Sequence, residues 1–202
     1  MNILKKTATG LLSCVLLLGA LAGCTGTATP TPTPGEDIIL KLAGIPRDET
    51  LFTVDGAPVP AEAYLFWLSQ SVSYLASYYQ YMEEDLDWSA DMAGEPVTDY
   101  VKNDALVTAK LYQTILNHAA EMGVTLTGDD LADYTASMAT VVEDLGGQEN
   151  YDLWLSRTAL SQAEMDRLSQ VSYLYANIQN RLFGAESGNA PTAEAMDAYI
   201  EE

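Results

Sequence analysis

The sequence is poor in the residues that build covalent cross-links, thiolate metal centres and basic surfaces. Its 202 residues include two cysteines, Cys14 and Cys24, and one histidine, His118. Because neither cysteine lies beyond residue 24, a disulfide framework or a cysteine-based metal site is excluded from the rest of the chain. Nine lysines and arginines stand against 29 aspartates and glutamates, which gives a formal net charge of −20. Such a surface repels phosphate backbones, so nucleic-acid binding is disfavoured.

Recognisable catalytic motifs are missing as well. The sequence carries no serine or cysteine nucleophile motif and no glycine-rich phosphate loop. The single histidine, His118, falls in the last turns of a predicted helix, where a surface or dipole-capping role is favoured over catalysis. We therefore predict no catalytic residue and no cofactor.

One acidic segment, residues 83–96, resembles a calcium loop at first sight because oxygen-bearing side chains alternate from Asp85 to Asp91. An EF-hand loop requires glycine at its sixth position and glutamate at its twelfth. Those positions hold Ala90 and Pro96 here. We therefore predict a solvated acidic loop and no metal site.

The start of the chain is typical of a secretory signal. Lys5 and Lys6 precede an apolar run over residues 11–22, and its twelve residues are fewer than the roughly 20 that span a bilayer. The run ends in Leu21-Ala22-Gly23-Cys24, which resembles the box of bacterial lipoproteins. The resemblance implies that residues 1–23 are a signal peptide and that Cys24 is lipidated. It also implies that the mature chain is anchored to the extracytoplasmic face of the cell membrane.

Residues 24–36 read as an anchor and a tether. After Cys24, the stretch Thr25 to Gly35 alternates threonine with proline, a pattern that favours an extended polyproline-like conformation. At about 3.1 Å per residue, such a tether reaches roughly 34 Å.

The body of the chain predicts a mainly α fold, since 48% of the residues are hydrophobic and a packed core is therefore expected. Residues 37–45 are either a short strand or an ordered lead-in. Asp55-Gly56, between apolar flanks, predicts a tight turn in a short β-ribbon. After Pro60, apolar residues recur at helical spacing and predict an irregular, orthogonal bundle of about five helices.

Helix boundaries are marked by capping patterns. Thr127 to Asp130 reads as a capping box with aspartate in place of glutamate, and Ser161 to Glu164 reads as a standard one. The last predicted helix of the bundle begins at the second of these boxes. Among the predicted core-facing positions of the helices are Met82, Leu131, Tyr175 and Leu182.

Several motifs, in this order and spacing, resemble a known family. Val54-Asp55-Gly56-Ala57-Pro58-Val59 leads into a helix that begins Ala61-Glu62-Ala63-Tyr64. Gly146 to Tyr151 is followed by Leu160-Ser161-Gln162-Ala163-Glu164, and Pro191-Thr192-Ala193-Glu194 is followed by Tyr199. Together they are similar to the N-terminal module of SurA-like and PrsA-like extracytoplasmic foldases, over about residues 50–202.

The resemblance implies a helical chaperone module over residues 37–185 that binds unfolded or nascent secreted polypeptides. Residues 186–202 would then be a linker and the start of an arm helix leading to a parvulin-type prolyl isomerase domain. That domain is absent from the sequence, and the abrupt end after residue 202 suggests a longer protein. Parvulin sites use two histidines with a cysteine or aspartate nearby, whereas this chain has only His118. Whether the chain belongs to an enzyme is left open.

Aromatic residues supply the candidate binding surface. The sequence has 12 tyrosines and three tryptophans against three phenylalanines, and the first long helix is crowded with them. Tyrosine and tryptophan combine a large contact area with a polar group, as binding surfaces require. Core or rim packing is the competing interpretation for each of them. The predicted client-binding residues are Tyr64, Trp67, Tyr74, Tyr78, Tyr81 and Trp154.

These patterns favour a lipid-anchored chaperone module. The alternative is a lipoprotein with a structural or assembly role that binds one fixed protein partner. A small-molecule-binding lipoprotein of an importer is disfavoured, because no alternation of strands and helices is found. Homodimerisation is left open.

Overall fold

The computed structural model describes residues 37–190 and residue 192, and within them the fold is mainly α. The helices are α1 (Ile38–Ala43), α2 (Ala61–Tyr81), α3 (Val97–Met122), α4 (Gly128–Asp144), α5 (Gln148–Leu155), α6 (Gln162–Ser169) and α7 (Val171–Phe183). The strands are β1 (Thr50–Val54), β2 (Ala57–Pro60), β3 (Asp91–Met92) and β4 (Glu95–Pro96), paired as two antiparallel hairpins. The predicted mainly α fold with a short β-ribbon is confirmed.

The β-ribbon forms at the predicted turn. Asp55 and Gly56 have φ angles of 51° and 82°, as a two-residue turn that matches the strand twist requires. The ribbon lies on the helices: Val59 is 1% exposed and packs with Ala63 of α2 and Ala109 of α3. Its turn end is tied to α3, because the side chain of Asn117 donates to the carbonyl of Val54 at 2.9 Å.

The α2–α3 pair forms the centre of the fold. Leu75, near the end of α2, packs with Val97 and Val101 at the start of α3, whereas Ala63 meets Ala109. The two helices therefore run antiparallel. Buried alanines on both helices allow their backbones to approach closely; they are Ala61, Ala63, Ala105 and Ala109.

The lead-in to the ribbon is a short helix, so of the two alternatives for residues 37–45 the strand is wrong and the ordered lead-in is confirmed. Asp37 caps α1, since its Oδ1 accepts hydrogen bonds from the backbone N–H groups of Ile39 and Leu40. Gly44, at a φ of 67°, ends the helix in the left-handed conformation. Because the segment has both an aspartate N-cap and a glycine C-cap, it forms a six-residue helix in spite of its β-branched residues.

The last predicted helix is two helices. α6 ends at Ser169, and α7 begins at Val171 after a bend at Gln170, where no glycine or proline signals a break. Leu168 joins the core cluster of Phe66, Leu160 and Met165, while α7 runs along α3. The bend lets consecutive parts of one apolar pattern pack against different neighbours.

Four predicted core positions lie at the surface. Met82, Leu131, Tyr175 and Leu182 are 48%, 47%, 48% and 38% exposed. Met82, Leu131 and Leu182 are the first or last apolar positions of their patterns, whereas Tyr175 lies within its pattern.

The two predicted capping boxes differ in outcome. At Thr127 the box is complete, because its hydroxyl accepts from the N–H of Asp130 and its own N–H donates to Asp130. At Ser161 only half of the box forms: the hydroxyl accepts from the N–H of Glu164, but the N–H of Ser161 donates to Glu62 Oε2 at 2.7 Å. Glu164 instead accepts from Arg167 Nε at 2.7 Å. A tertiary contact has replaced a local one.

Glu62 is the centre of this contact. It is 8% exposed, and its Oε2 lies 3.6 Å from Arg47 Nη1. Arg47 also donates to the carbonyl of Ala159 at 3.1 Å and lies 3.6 Å from Asp37 Oδ2. The cluster therefore joins the N-terminal lead-in, the start of α2 and the α5–α6 connection.

Replacing Glu62 is expected to destabilise the fold. Glu62→Ala leaves the N–H of Ser161 without its acceptor and removes one of the two carboxylates that pair with Arg47, and is expected to cost about 3 kcal/mol of unfolding free energy. Glu62→Gln keeps an acceptor for Ser161 and is expected to cost about half as much. Urea denaturation measures both, with Glu49→Ala, an exposed carboxylate of the same segment, as the control. Equal losses for Glu62→Ala and Glu49→Ala would contradict the role of Glu62.

Candidate functional site

Three of the predicted client-binding residues form an exposed stripe. Tyr74, Tyr78 and Tyr81 are 71%, 51% and 84% exposed. Their spacing of four and three residues places them on one face of α2. We call these three residues the tyrosine stripe. It occupies the C-terminal half of the helix.

The other three predicted residues are half-buried and pack against neighbouring aromatic rings. Tyr64 meets Phe52 of β1 edge-on, with ring centroids 6.3 Å apart, and its hydroxyl donates to the carbonyl of Lys102 at 3.4 Å. Burial raises the pKa of the Tyr64 phenol, and the charge of Lys102 partly offsets this. The phenol therefore stays neutral and acts as a donor.

The two tryptophans lie in the same core cluster. Trp67 sits between Phe66 and Tyr112, at centroid distances of 4.9 and 4.5 Å. Trp154 lies 5.7 Å from Tyr151. Both tryptophans pack against the core cluster of Phe66, Leu160, Met165 and Leu168. They stabilise the contact between α2 and the α5–α6 region.

Trp67 lies on the same face of α2 as the tyrosine stripe, but it is covered by other elements. It precedes Tyr74 by seven residues, which is two helical turns, and so lies on the same face of α2. Elements from α3 and α6 pack over Trp67 and leave the tyrosines two or more turns further on exposed. Trp67 Nε1 and the neighbouring Gln70 Nε2 are inaccessible to solvent and have no hydrogen-bond partner among the described residues.

The stripe contacts the core through Tyr78. Tyr78 contacts Tyr79 edge-on, with ring centroids 5.9 Å apart. Tyr79 is half-buried and packs with Leu75, Val97 and other members of their cluster. At least one ring of the stripe is therefore held by the core, which lowers the entropy that is lost on binding.

Carboxylates surround the stripe. Glu83, Glu84 and Asp85 follow it directly along the chain and are exposed. From α3, Asp104 accepts a hydrogen bond from Ser71, one turn before Tyr74. Lys102 of α3, whose carbonyl accepts from Tyr64 of α2, is paired with Asp99 at 2.9 Å. The surface beside the tyrosines is therefore negative.

Sequence reasoning missed two neighbours of the stripe. The helix pattern predicts a core position for Met82, but Met82 is exposed directly after the stripe. Asp104 had no local signal, because its approach to Ser71 depends on how α2 and α3 pack. The position of Met82 at the last turn of its helix is the one sequence feature that could have indicated exposure.

The acidic segment folds on itself. Asp87 Oδ1 accepts from both the N–H and the hydroxyl of Ser89, at 2.9 and 2.7 Å, and these bonds lower the Asp87 pKa. Asp91 accepts from the N–H of Gly94 in the turn of the β3–β4 hairpin. The predicted loop therefore contains a short hairpin. In the described part of the chain, no group of three or more potential ligands is placed to hold a metal ion.

His118 is exposed on α3, with Nδ1 3.0 Å from Glu121 Oε2. This is an ordinary surface pair between residues one turn apart on the helix. The predicted signal peptide (residues 1–23), the lipidation site Cys24 and the rest of the tether (residues 25–36) lie outside the described residues. Of the predicted linker and arm helix, only residues 186–190 and Thr192 are described.

Comparisons of the chain with protein-family models, with curated proteins and with solved structures found no match. The resemblance to foldase modules therefore rests on the motifs and their order. Within residues 37–190, no helix is both long enough and apolar enough to cross a bilayer.

The two ends of the aromatic face are expected to differ in their contribution to stability. Trp67→Ala removes a packed ring and is expected to cost about 3 kcal/mol of unfolding free energy. Tyr74→Ala removes an exposed ring and is expected to change it by about 0.5 kcal/mol or less. Urea denaturation of the two variants checks this. A loss for Tyr74→Ala as large as that for Trp67→Ala would show that the stripe is structural.

Proposed function

We propose that this chain is a membrane-anchored, extracytoplasmic chaperone module that binds unfolded or nascent secreted polypeptides, in the manner of the N-terminal module of SurA-like and PrsA-like foldases. The exposed tyrosine stripe carries the proposal. Its anchor would be a lipid on Cys24, and residues 24–36 would be the tether. The order of the sequence motifs and the mainly α fold support it.

The chemistry of the stripe suits this task. Each tyrosine offers an apolar ring for side chains of any sequence and a hydroxyl that can donate to or accept from a backbone. Three exposed rings within two helical turns give a surface that a short extended or helical segment can contact without a fixed sequence.

The negative charge around the stripe would influence which polypeptide segments bind. Among the residues nearest the stripe, Glu83, Glu84, Asp85 and Asp104 favour segments that carry lysine or arginine and repel acidic ones. Exposed carboxylates also keep a protein with exposed aromatic rings soluble. The proposal requires no covalent step, and the binding surface alone would slow aggregation.

The stripe is expected to be required for slowing client aggregation. The purified protein at equimolar amounts should slow the aggregation of a basic unfolded client, reduced lysozyme, followed by light scattering. Replacing Tyr74, Tyr78 and Tyr81 together by serine should abolish most of the effect, because it removes the contact area. A matched control replaces Leu42, Leu131 and Tyr175 by serine, since these are also exposed but lie on other helices; it should keep the effect.

Two results would count against the proposal. Equal loss in the stripe variant and the control variant would remove the stripe from the binding surface. A single stoichiometric partner, together with no effect on unfolded clients, would favour the alternative of a lipoprotein with one fixed partner.

The salt dependence of the same assay tests the role of charge. Raising the ionic strength from 0.05 to about 0.5 M should weaken the effect on the basic client, because screening shortens the range of attraction to a few Å. An acidic client of similar size should be protected less at low salt. Protection of the acidic client equal to that of the basic one at low salt would contradict selection by charge.

A further inference from the structure

A concave site lies on helices other than the one that carries the tyrosine stripe. Helices α4, α5 and α6 line a shallow, solvent-open cleft of about 400 Å³. One wall is mostly apolar and the other is polar. The lining residues are Tyr134, Thr135, Met138, Ala139, Val142, Gln148, Tyr151, Gln162 and Asp166.

A hydrogen-bonded chain orders the polar wall. The hydroxyl of Tyr134 and the side-chain amide of Gln162 both donate to Asp166 Oδ1, each at 2.6 Å. The hydroxyl of Tyr151 donates to Gln162 Oε1 at 3.0 Å. Gln162 and Asp166 are one turn apart on α6, so both face the cleft.

The two tyrosines are fixed parts of the fold. Tyr134 is 8% exposed and Tyr151 is 2% exposed. Burial raises the pKa of both phenols, and the bond to Asp166 raises that of Tyr134 further. The hydroxyl protons therefore stay on the tyrosines, which donate to Asp166 and Gln162.

The charge of the cleft is unbalanced. Asp166 is the one acidic residue among those that line it, and none of them is lysine, arginine or histidine. The hydrogen bonds from Tyr134 and Gln162 both converge on Oδ1 of Asp166, so neither engages Oδ2. Helix α4 contributes the apolar side chains of Met138, Ala139 and Val142 to the lining, together with the hydroxyl of Thr135.

We propose that this cleft binds an organic cation with an apolar body, of the alkylamine or alkylguanidinium class. The carboxylate of Asp166 pairs with the cationic group. The tyrosine rings and hydroxyls hold it from the side. The methylene groups lie on the apolar wall, as those of lysine and arginine do on apolar surfaces.

The same chemistry occurs in free amines and in the lysine or arginine side chains of a polypeptide. The site is separate from the tyrosine stripe, and its ligand does not depend on the chaperone proposal.

Titration of the purified protein with agmatine tests the site, with pentanoate as a probe of opposite charge. Amide shifts in two-dimensional NMR should concentrate in α4, α5 and α6, with a Kd of about 1 mM or tighter for agmatine. Pentanoate should produce no saturable shifts. Absence of saturable agmatine shifts up to about 10 mM, or equal binding of pentanoate, would overturn the proposal.

Two variants separate the cleft from general attraction to an acidic surface. Asp166→Asn removes the charge but keeps an acceptor for Tyr134 and Gln162, and it should weaken agmatine binding about tenfold. Ala139→Phe fills the cleft from an exposed position and should weaken binding by a similar factor. The control Asp144→Asn removes an exposed carboxylate at the end of α4 and should change binding less than about twofold.

Equal binding by Asp166→Asn, Ala139→Phe and Asp144→Asn would overturn the site. Circular dichroism confirms that each variant is folded, so that a loss of binding reports on the cleft.

A peptide comparison distinguishes the two sources of the ligand. Acetyl-Gly-Gly-Arg-Gly-Gly-amide is compared with the same peptide carrying glycine in place of arginine. Tighter binding of the arginine peptide than of agmatine indicates a side-chain pocket, and weaker binding indicates a free amine as ligand. Both results support the cation site. Equal binding of the two peptides, together with no agmatine binding, contradicts it.

Discussion

A buried carboxylate at the start of α2 ties together parts of the chain that are distant in sequence. Glu62 Oε2 accepts from the N–H of Ser161 at 2.7 Å and lies 3.6 Å from Arg47 Nη1. A buried charge is tolerated only when it is paired and hydrogen-bonded. The position of α2 against the α5–α6 connection is therefore coupled to satisfying this one group. The tyrosine stripe lies on α2 and the cleft lies partly on α6, so both surfaces depend on it.

The aromatic face of α2 takes two roles because its neighbours cover only part of it. At Trp67, elements of α3 and α6 close over the helix, and the ring becomes part of the core. At Tyr74 and beyond, the same face is open and the rings meet solvent. The identity of the side chain is therefore a weaker guide to its role than the extent of the packing partner. The fixed N-terminal half of α2 provides a rigid base for the exposed half.

The acidic residues have two roles: some accept hydrogen bonds that hold the fold together, and others are exposed at the surface. Glu62 and Asp166 are held in hydrogen-bonded networks that join separate helices. Asp37 caps α1, and Asp130 completes the box at Thr127. Many of the remaining carboxylates are exposed and make the surface negatively charged. An acidic composition that disfavours nucleic-acid binding also favours cationic ligands at both proposed sites.

Local patterns in the sequence were enough for the elements whose signals act between near neighbours. The turn at Asp55-Gly56, the box at Thr127 and the long periodic helices needed only adjacent residues to form. Tertiary packing decided the rest. It bent the last helix at Gln170, moved the N–H of Ser161 from its own box to Glu62, and left the tyrosine stripe exposed while covering Trp67. It also brought Tyr134 to Asp166 across 32 residues. A sequence pattern shows which face of a helix is apolar or aromatic, but the neighbouring elements decide how much of that face is removed from water.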